Sequence, residues 1–525
     1  MKKTLLIAFC MLLSLKAFSA TYYVNASATG QNNGLSWANA FTSLQSALSV
    51  AIPNDKIWVA TGVYKASATD NRSTSFVMKN GVSIYGGFNG TETALDQRNI
   101  ATAPTTLSGD IGEPGTNNDN TYKIVKVQNF TTGFTLDGFI ISNGYDGTAS
   151  GKGAGLYMTN CQGGINIRNC VFYNNYAYHS GGGLLIDHSN VTFENCDFLY
   201  NSTFNYGGGA IYSANVSGSN ISLIACKFTG NSARQGAVIN FDGTSLIIDR
   251  NIVSSNTTSS GSIIAVNDAD DFKVLNSLIV GNLTTSNSGS SVISSYTSSQ
   301  DASVINTTVC HNRNSSTLQL WDEPINQANG AMYIHNSIVY GNSTTPQNYQ
   351  IDTGNNVRNC ILEGTYPAST TNNINNIFAA PQFVSPATLA AAPFDASGYD
   401  YSLLETSPGV NTGNNSLIPA AYMLDCAGSE RIQGTVVDRG AYESDFILSI
   451  GSPETISNEV FFRNNDNTLV FTNFKKYRNE MMQVYNLNGQ MVKEVKITDD
   501  AMKLNLTQGL YFISIGTKSK KIIVY

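Results

Sequence analysis

An asparagine returns on nearly the same beat eight times in this chain: Asn143, Asn175, Asn201, Asn231, Asn256, Asn282, Asn312 and Asn342. Three residues before each stands an apolar residue: Ile140, Phe172, Phe198, Phe228, Val253, Ile279, Val309 and Val339. Subtraction gives successive intervals of 32, 26, 30, 25, 26, 30 and 30 residues. A fixed local motif with a variable interval marks a solenoid, in which each coil is one unit and length differences go into loops. Asn tolerates the left-handed backbone better than most residues, because its short amide bonds local backbone. The spacing predicts that these eight residues form one structural ladder at a tight bend, with amides bonded from coil to coil.

Aligned on the Asn, the coils read Phe134-Thr135-Leu136-Asp137, Ile165-Asn166-Ile167-Arg168 and Val191-Thr192-Phe193-Glu194. Apolar and polar residues alternate, so one face of each strand is buried. Glycine clusters follow at Gly153-Ala154-Gly155, Gly181-Gly182-Gly183 and Gly207-Gly208-Gly209, each before a second apolar stretch such as Leu184-Leu185-Ile186. Two or three short strands per coil, with no helical pattern between them, fit a parallel β-helix rung and not a βαβ unit. Ahead of the coils, Phe41 to Leu48 has apolar residues at helical spacing after a capping-type Thr/Ser, as expected of a cap over the open end. About a dozen coils are expected, a stack on the order of 55 Å long.

At 525 residues the chain exceeds one compact core. Charged residues make up only 13%, and 46 glycines favour turns and strands over helices. Residues 1–20 read as a secretory signal: Lys2 and Lys3, an apolar centre from Leu5 to Leu15, then Ala17-Phe18-Ser19-Ala20. Of the 30 basic and 37 acidic residues, the signal holds 3 Lys and residues 446–525 hold 10 basic and 7 acidic. Residues 21–445 therefore keep 17 basic and 30 acidic, a net charge of −13. An acidic surface argues against nucleic acid as a partner. Without Cys10, seven cysteines remain. Cys170, Cys196, Cys226 and Cys360 occupy the position held by Asn251, Ser277, Thr307 and Ser337 in other coils. Disulfides are open to an exported protein, but buried thiols acting as small inward-facing hydrophobes are the expectation.

The Phe-x-x-Asn motif at Phe172–Asn175, Phe198–Asn201 and Phe228–Asn231, with the glycine clusters, resembles the repeat of polymorphic outer-membrane proteins and of the pectate-lyase-like group. Ser407-Pro408-Gly409-Val410-Asn411-Thr412-Gly413 and Asp438-Arg439-Gly440-Ala441-Tyr442-Glu443 resemble the closing segment of choice-of-anchor proteins. The resemblance implies an all-β chain: a right-handed single-stranded parallel β-helix over residues 21–443. A linker at 444–455 and a small antiparallel β-sandwich over 456–525 would follow. That last block, with Val484-Tyr485-Asn486-Leu487-Asn488-Gly489, Gly509-Leu510-Tyr511 and Lys520-Lys521-Ile522-Ile523-Val524, resembles the type A C-terminal sorting domain of the Bacteroidetes type IX secretion system. The usual Pro-Asn-Pro at its start is missing, and Ser452-Pro453 is the nearest remnant. On that resemblance Gly489, Gly509, Tyr511, Lys520 and Lys521 carry the sorting motif. The partners implied are the secretion machinery and surface lipopolysaccharide, and the location is the outer-membrane surface or the medium, reached through the periplasm. The passenger is expected to be a monomer.

Catalytic constellations are missing from the sequence. His179 and Asp187-His188 lie on adjacent segments of one coil; a common groove is one reading, but a solvated polar surface explains them better, since neither has metal spacing or a nucleophile beside it. Asp268, Asp270 and Asp271 form the densest acidic cluster; paired carboxylates serve glycoside hydrolysis, yet a solvated turn explains them better. The Gly-His-Gly and Arg-x-Lys of polygalacturonase-like β-helices do not occur, and Arg234 and Arg250 stand alone as basic candidates for a lyase. Aromatic residues crowd two coils: Tyr173, Tyr176, Tyr178, Tyr200, Phe204, Tyr206 and Tyr212. Rings on consecutive coils are suited to stack on sugar faces and equally to stack on one another within the loops; on the first reading Tyr176, Tyr178, His179, His188, Phe204 and Tyr206 are the candidate glycan contacts. Extracellular polysaccharide or host glycan is the implied ligand, with no cofactor and no metal site expected; a structural or catalytic calcium ion stays open. The first expectation is a non-catalytic, adhesin-like or glycan-binding surface protein. The alternative is a polysaccharide lyase or glycoside hydrolase.

Overall fold

The computed structural model describes residues 19–214, 218–285, 291–296, 302–314, 325–327, 332–342, 351, 355–364, 373–445, 454–455, 460–486, 490–516 and 518–524. The expected signal peptide lies outside them, apart from Ser19 and Ala20. The chain divides into two compact units, residues 1–445 and 446–525. In the first, each full coil uses four short strands, as in Ile165–Arg168, Val171–Tyr173, Tyr176–Ala177 and Leu184–Asp187, before Asn190–Glu194 opens the next. Stacked coils make four parallel sheets, here I to IV in that order, of twelve, eleven, seven and nine strands. Alternation sends every second side chain inward: Ile165, Val191, Ile221, Leu246 and Phe272 are register partners on sheet I, and all are buried. On sheet II the rings of Phe172, Phe198 and Phe228 stack at 5.1 and 4.6 Å. Twelve strands at the usual spacing give a stack of roughly 50 Å.

Two corners of each coil share one device. A residue in the left-handed conformation turns the chain, and the next residue points inward and bonds the neighbouring coil. At the corner between sheets I and II the turning residues include Asn169, Asn195, Asn276, Asn306 and Asn336. The inward ones are Cys170, Cys196, Cys226, Asn251, Ser277, Thr307, Ser337 and Cys360, all buried. Asn251 Oδ1 accepts from the Cys226 amide at 2.6 Å, and Ser277 Oγ from the Asn251 amide at 3.0 Å. All seven described cysteines are free thiols.

Between sheets II and III the inward residues are Asn175, Asn201, Asn231, Asn256, Asn282, Asn312 and Asn342, each at most 1% exposed. From Asn175 to Asn312 each amide Nδ2 donates to the Oδ1 of the next at 2.8–3.0 Å, and the same Oδ1 accepts the preceding Asn backbone N–H at 3.0–3.2 Å. Two expectations are corrected here. The left-handed residue is the one before the ladder Asn: Asn174, Tyr200, Gly230, Ser255, Gly281, His311 and Gly341. Asn143 belongs to that turning row, at φ 64°, while Gly144 stands in the ladder and donates its N–H to Asn175 Oδ1 at 2.9 Å. The first coil is thus slipped by one residue, and Ile141, not Ile140, is the register partner of Phe172. Asn143 instead accepts from Asn174 Nδ2 at 2.8 Å on the outside.

The turn from sheet III to IV needs the glycine clusters for space. Gly181 and Gly208 have φ of 65° and 73°, and a Cβ on Gly183 would come within 2.6 Å of the Ala210 carbonyl oxygen. At the N-terminal end the helix Leu44–Val50, capped by Ser43, lays Leu44, Ala47 and Leu48 on the first coils. At the other end the coils stop sooner than expected. The last bridges are at Ile374 and Ile377, and residues 378–445 leave the stack as a strap along the outside of sheet II. Phe383, Phe394, Tyr401 and Leu403 of the strap pack on Leu278, Val280, Ile338 and Ile361. The closing motif locks it: Arg439 donates to the carbonyls of Cys360 and Thr412, Gly440 N–H to Asn336 O, and Ala441 N–H to Thr308 Oγ1.

The second unit has small antiparallel sheets. Lys518–Val524, Gly509–Ile515, Met481–Asn486 and Met491–Lys496 are neighbours in order, and Val460–Arg463, Thr468–Phe471 and Ala501–Lys503 form the other sheet. Val460, Leu469, Met482, Val484, Ile497 and Ile513 make its core. Tyr511 is buried on a central strand, Lys520 donates to Val460 O, and Lys521 is exposed; Gly489 lies outside the described residues. Among the described residues no helix is long and apolar enough to cross a membrane.

Two outcomes follow from this packing. Asn231→Leu should cost roughly 3–5 kcal/mol in urea unfolding, since it strands the buried amide of Asn201 as well as its own partners. Asn220→Leu, at an exposed site bonded only to Asn190 Oδ1, should cost under about 1 kcal/mol. Burial also pushes the imidazoles of His311, which bonds Tyr401 of the strap, and of His335 down from 6.5 to about 4. Between pH 4 and 6.5 the unfolded chain binds the extra protons, so this stability is full above about 6.5 and is lost as the pH falls towards 4. Glu443, raised to about 8 chiefly by burial, works in the opposite sense and loses its contribution as the pH rises through 8. The fall in urea midpoint between pH 7 and pH 4.5 should therefore shrink in the double variant His311→Gln/His335→Gln.

Candidate functional site

The outward face of sheet IV gathers the residues best suited to hold a ligand. In Val125–Gln128, Leu156–Thr159, Leu184–Asp187, Ile211–Ala214 and Ile239–Asp242 the first and third residues point inward. The second residues point away from the core, and register makes Lys126, Tyr157, Leu185, Tyr212 and Asn240 direct neighbours in one row. Leu185 and Asn240 are covered, so Lys126, Tyr157 and Tyr212 are the members that reach solvent. A parallel outward row holds Gln128, Thr159 and Asp187, and the same register carries it on to Ala214 and Asp242.

Rings wall this face on the side of sheet III. Tyr206 meets Tyr212 edge-on at 5.8 Å, and His179 stacks on Tyr206 at 5.7 Å. Beyond them Tyr178 lies 5.5 Å from Phe204, and Tyr176 stacks on Tyr145 at 4.8 Å. Phe204 is 68% exposed and Tyr206 44%, so their faces are open to solvent. Five of the six expected contacts therefore stand on this flank, in three separate ring contacts. His188 does not join them: it follows Asp187 at the far end of Leu184–Asp187, and a four-residue strand, roughly 13 Å long, separates it from the turn that carries His179. The two histidines therefore share no groove, in keeping with the reading of them as solvated polar residues. Instead His188 Nδ1 is hydrogen-bonded to Asp187 Oδ1 at 2.6 Å.

Titratable groups concentrate at the centre of the face. Burial pushes the Tyr212 phenol up to about 12, with Tyr206, Asp242 and Asp187 adding to it. The Asp242 carboxyl is raised by burial and by Asp268, against a bond from Asn267. At the N-terminal end Lys123 pairs with Asp146 at 2.8 Å and lies 5.5 Å over the Tyr157 ring. Neither Lys126 nor Tyr157 was singled out from the sequence. The signal was there: Val125-Lys126-Val127 sets beside Leu156-Tyr157-Met158 and Ile211-Tyr212-Ser213 once the glycine turns are aligned.

The remaining sequence candidates have structural duties. Asp271 pairs with Lys273, and Asp270 stands in the turn between sheets IV and I. Arg250 pairs with Asp249 at 3.1 Å, and Arg234 is an exposed turn residue. Among the described residues no group of three or more His, Cys, Asp and Glu is placed to hold a metal ion.

Residues 118–279 match a protein family described as the right handed beta helix region. No curated protein matches the chain. Among solved structures the pectate lyase Pel9A is similar, at 15% identity and a TM-score of 0.38, over 81% of this chain and 96% of that one. By its stacked coils this chain is an all-β protein, a parallel β-helix ending in small antiparallel sheets, and its residues 118–279 carry the right-handed match.

Proposed function

We propose that this protein binds glycan chains outside the cell, along the outward face of sheet IV. The observation that carries the reading is the in-register row through Lys126, Tyr157 and Tyr212, with Leu185 covered between the two tyrosines, flanked by the open rings of Tyr206 and Phe204. Sugar rings present apolar faces that stack on aromatic side chains, and their hydroxyls bond the neighbouring amides and carboxylates. A ladder-fixed backbone holds these rings with little freedom left to lose on binding. In affinity electrophoresis against a polysaccharide panel, Tyr206→Ala/Tyr212→Ala should lower affinity by about tenfold or more, at about 0.5–1.5 kcal/mol per ring. Binding by the variant equal to that of the parent, or no binding by the parent, contradicts the reading.

A second reading, glycoside hydrolysis, is favoured by Asp187 and Asp242. The half-buried Asp242 is fitted to give a proton, and Asp187, held by His188, to activate water. They stand two coils apart, roughly 10 Å along the stack, close to the wide separation of about 6.5–9.5 Å that admits a water between acid and base. Release of reducing ends that Asp242→Asn abolishes while binding persists is the outcome this reading requires.

Export belongs to the same proposal. The basic C-terminal unit, with a core of its own, acts as the sorting module for type IX secretion, and surface lipopolysaccharide is the anchor for the passenger. Deleting Leu504 to Tyr525 in the native host should trap the passenger in the periplasm. Its unchanged appearance at the surface or in the medium excludes the sorting role.

A further inference from the structure

The N-terminal end of the sheet IV row opens into a cavity of about 300 Å³, lined by Ser75, Tyr122, Lys123, Lys126, Gln128 and Tyr157. Its chemistry is unlike the rest of the unit, which carries a net charge of −13 over residues 21–445 (17 basic, 30 acidic). Two ammonium groups face it, and the one carboxylate paired with them is Asp146, on Lys123. Lys126 has no carboxylate within ion-pair distance among the described residues, although burial and the charge of Lys123 both work against its protonated form. The Ser75 hydroxyl, in a residue only 6% exposed, has no hydrogen-bond partner among the described residues. The aromatic walls are held in place: Arg72 lies 4.2 Å over the Tyr122 ring, and Lys123 sits over Tyr157. A lone partly desolvated ammonium and an unbonded buried hydroxyl, between fixed rings, are the complement of an anionic oxygen group on a sugar-sized body.

We infer that this cavity is a subsite for one acidic sugar residue, whose carboxylate or sulfate meets Lys126 and Ser75. The inference rests on the glycan-binding reading and sharpens it. The acidic residue seats in the cavity while neighbouring residues of the same chain run over Tyr157 and Tyr212. Selectivity for charge then comes from one end of the row, and stacking from its middle.

The test uses the mature full-length protein and a panel of uronate polymers and sulfated polymers. Each is set beside its carboxyl-reduced or desulfated counterpart, which also separates carboxylate from sulfate as the source of charge. At least one charged polymer should bind about tenfold or more tighter than its neutral counterpart, with affinity falling as salt rises. Lys126→Gln should bring affinity for the charged polymer down to that for its neutral counterpart without moving the unfolding midpoint; Ser75→Ala should reduce the preference in part. Equal affinity for charged and neutral polymers, still lost in Tyr206→Ala/Tyr212→Ala, overturns the subsite and leaves the groove reading standing. A charge preference that survives Lys126→Gln overturns the subsite as well. No binding to any member of the panel overturns both.

Discussion

The register between coils depends on the amide ladder. A parallel sheet alone tolerates slippage where one face is polar, and the outer faces here are rich in Ser, Thr and Asn. Each ladder Asn from Asn201 onward removes that freedom, because its Oδ1 takes both the backbone N–H and the side-chain amide of the preceding coil. A slip of one residue would strand two buried donors and one acceptor, at about 1–3 kcal/mol each. Seven such residues from Asn175 to Asn342 make the stack cooperative. The thiol and hydroxyl row at the neighbouring corner repeats the constraint with smaller side chains.

Fixed register makes the outer surface a set of ordered rows, one residue per coil at the strand spacing of about 4.8 Å. Function on such a scaffold is a matter of what each row carries. Much of the C-terminal half of sheet II is apolar and is covered by the strap. Sheet IV carries rings, amides and a lysine across its outer face, with open rings on its flank. The strap and the ladder thus divide the tasks: one closes an apolar flank, and the other holds an open face rigid.

Much of this was legible in the sequence. Alternation in Ile165–Arg168 and Val191–Glu194 gave the strands, and the Asn interval gave the coil, because both report burial that local residues decide. The slip at Asn143 was not legible, since Asn143-Gly144 and Asn174-Asn175 both offer an Asn to the alignment. Only the partner of Asn175 Oδ1 shows that Gly144 holds the ladder place. The strap escaped notice because its contacts, such as Phe394 against Gly281, join residues over a hundred positions apart. Lys126 and Tyr157 escaped for a related reason. Their strands lie before the best-aligned repeats, and one lysine in a strand says nothing until Tyr157 and Tyr212 are set beside it.

The central claim is that the ladder turns the row from Lys126 to Tyr212 into the binding face. A crystal structure of the mature protein, soaked with an oligosaccharide that it binds in solution, tests this most directly. Sugar rings stacked on Tyr157, Tyr212 or Tyr206 along sheet IV are the predicted result. A fully ordered oligosaccharide on sheet I or on the exposed part of sheet II, with sheet IV bare, would contradict it.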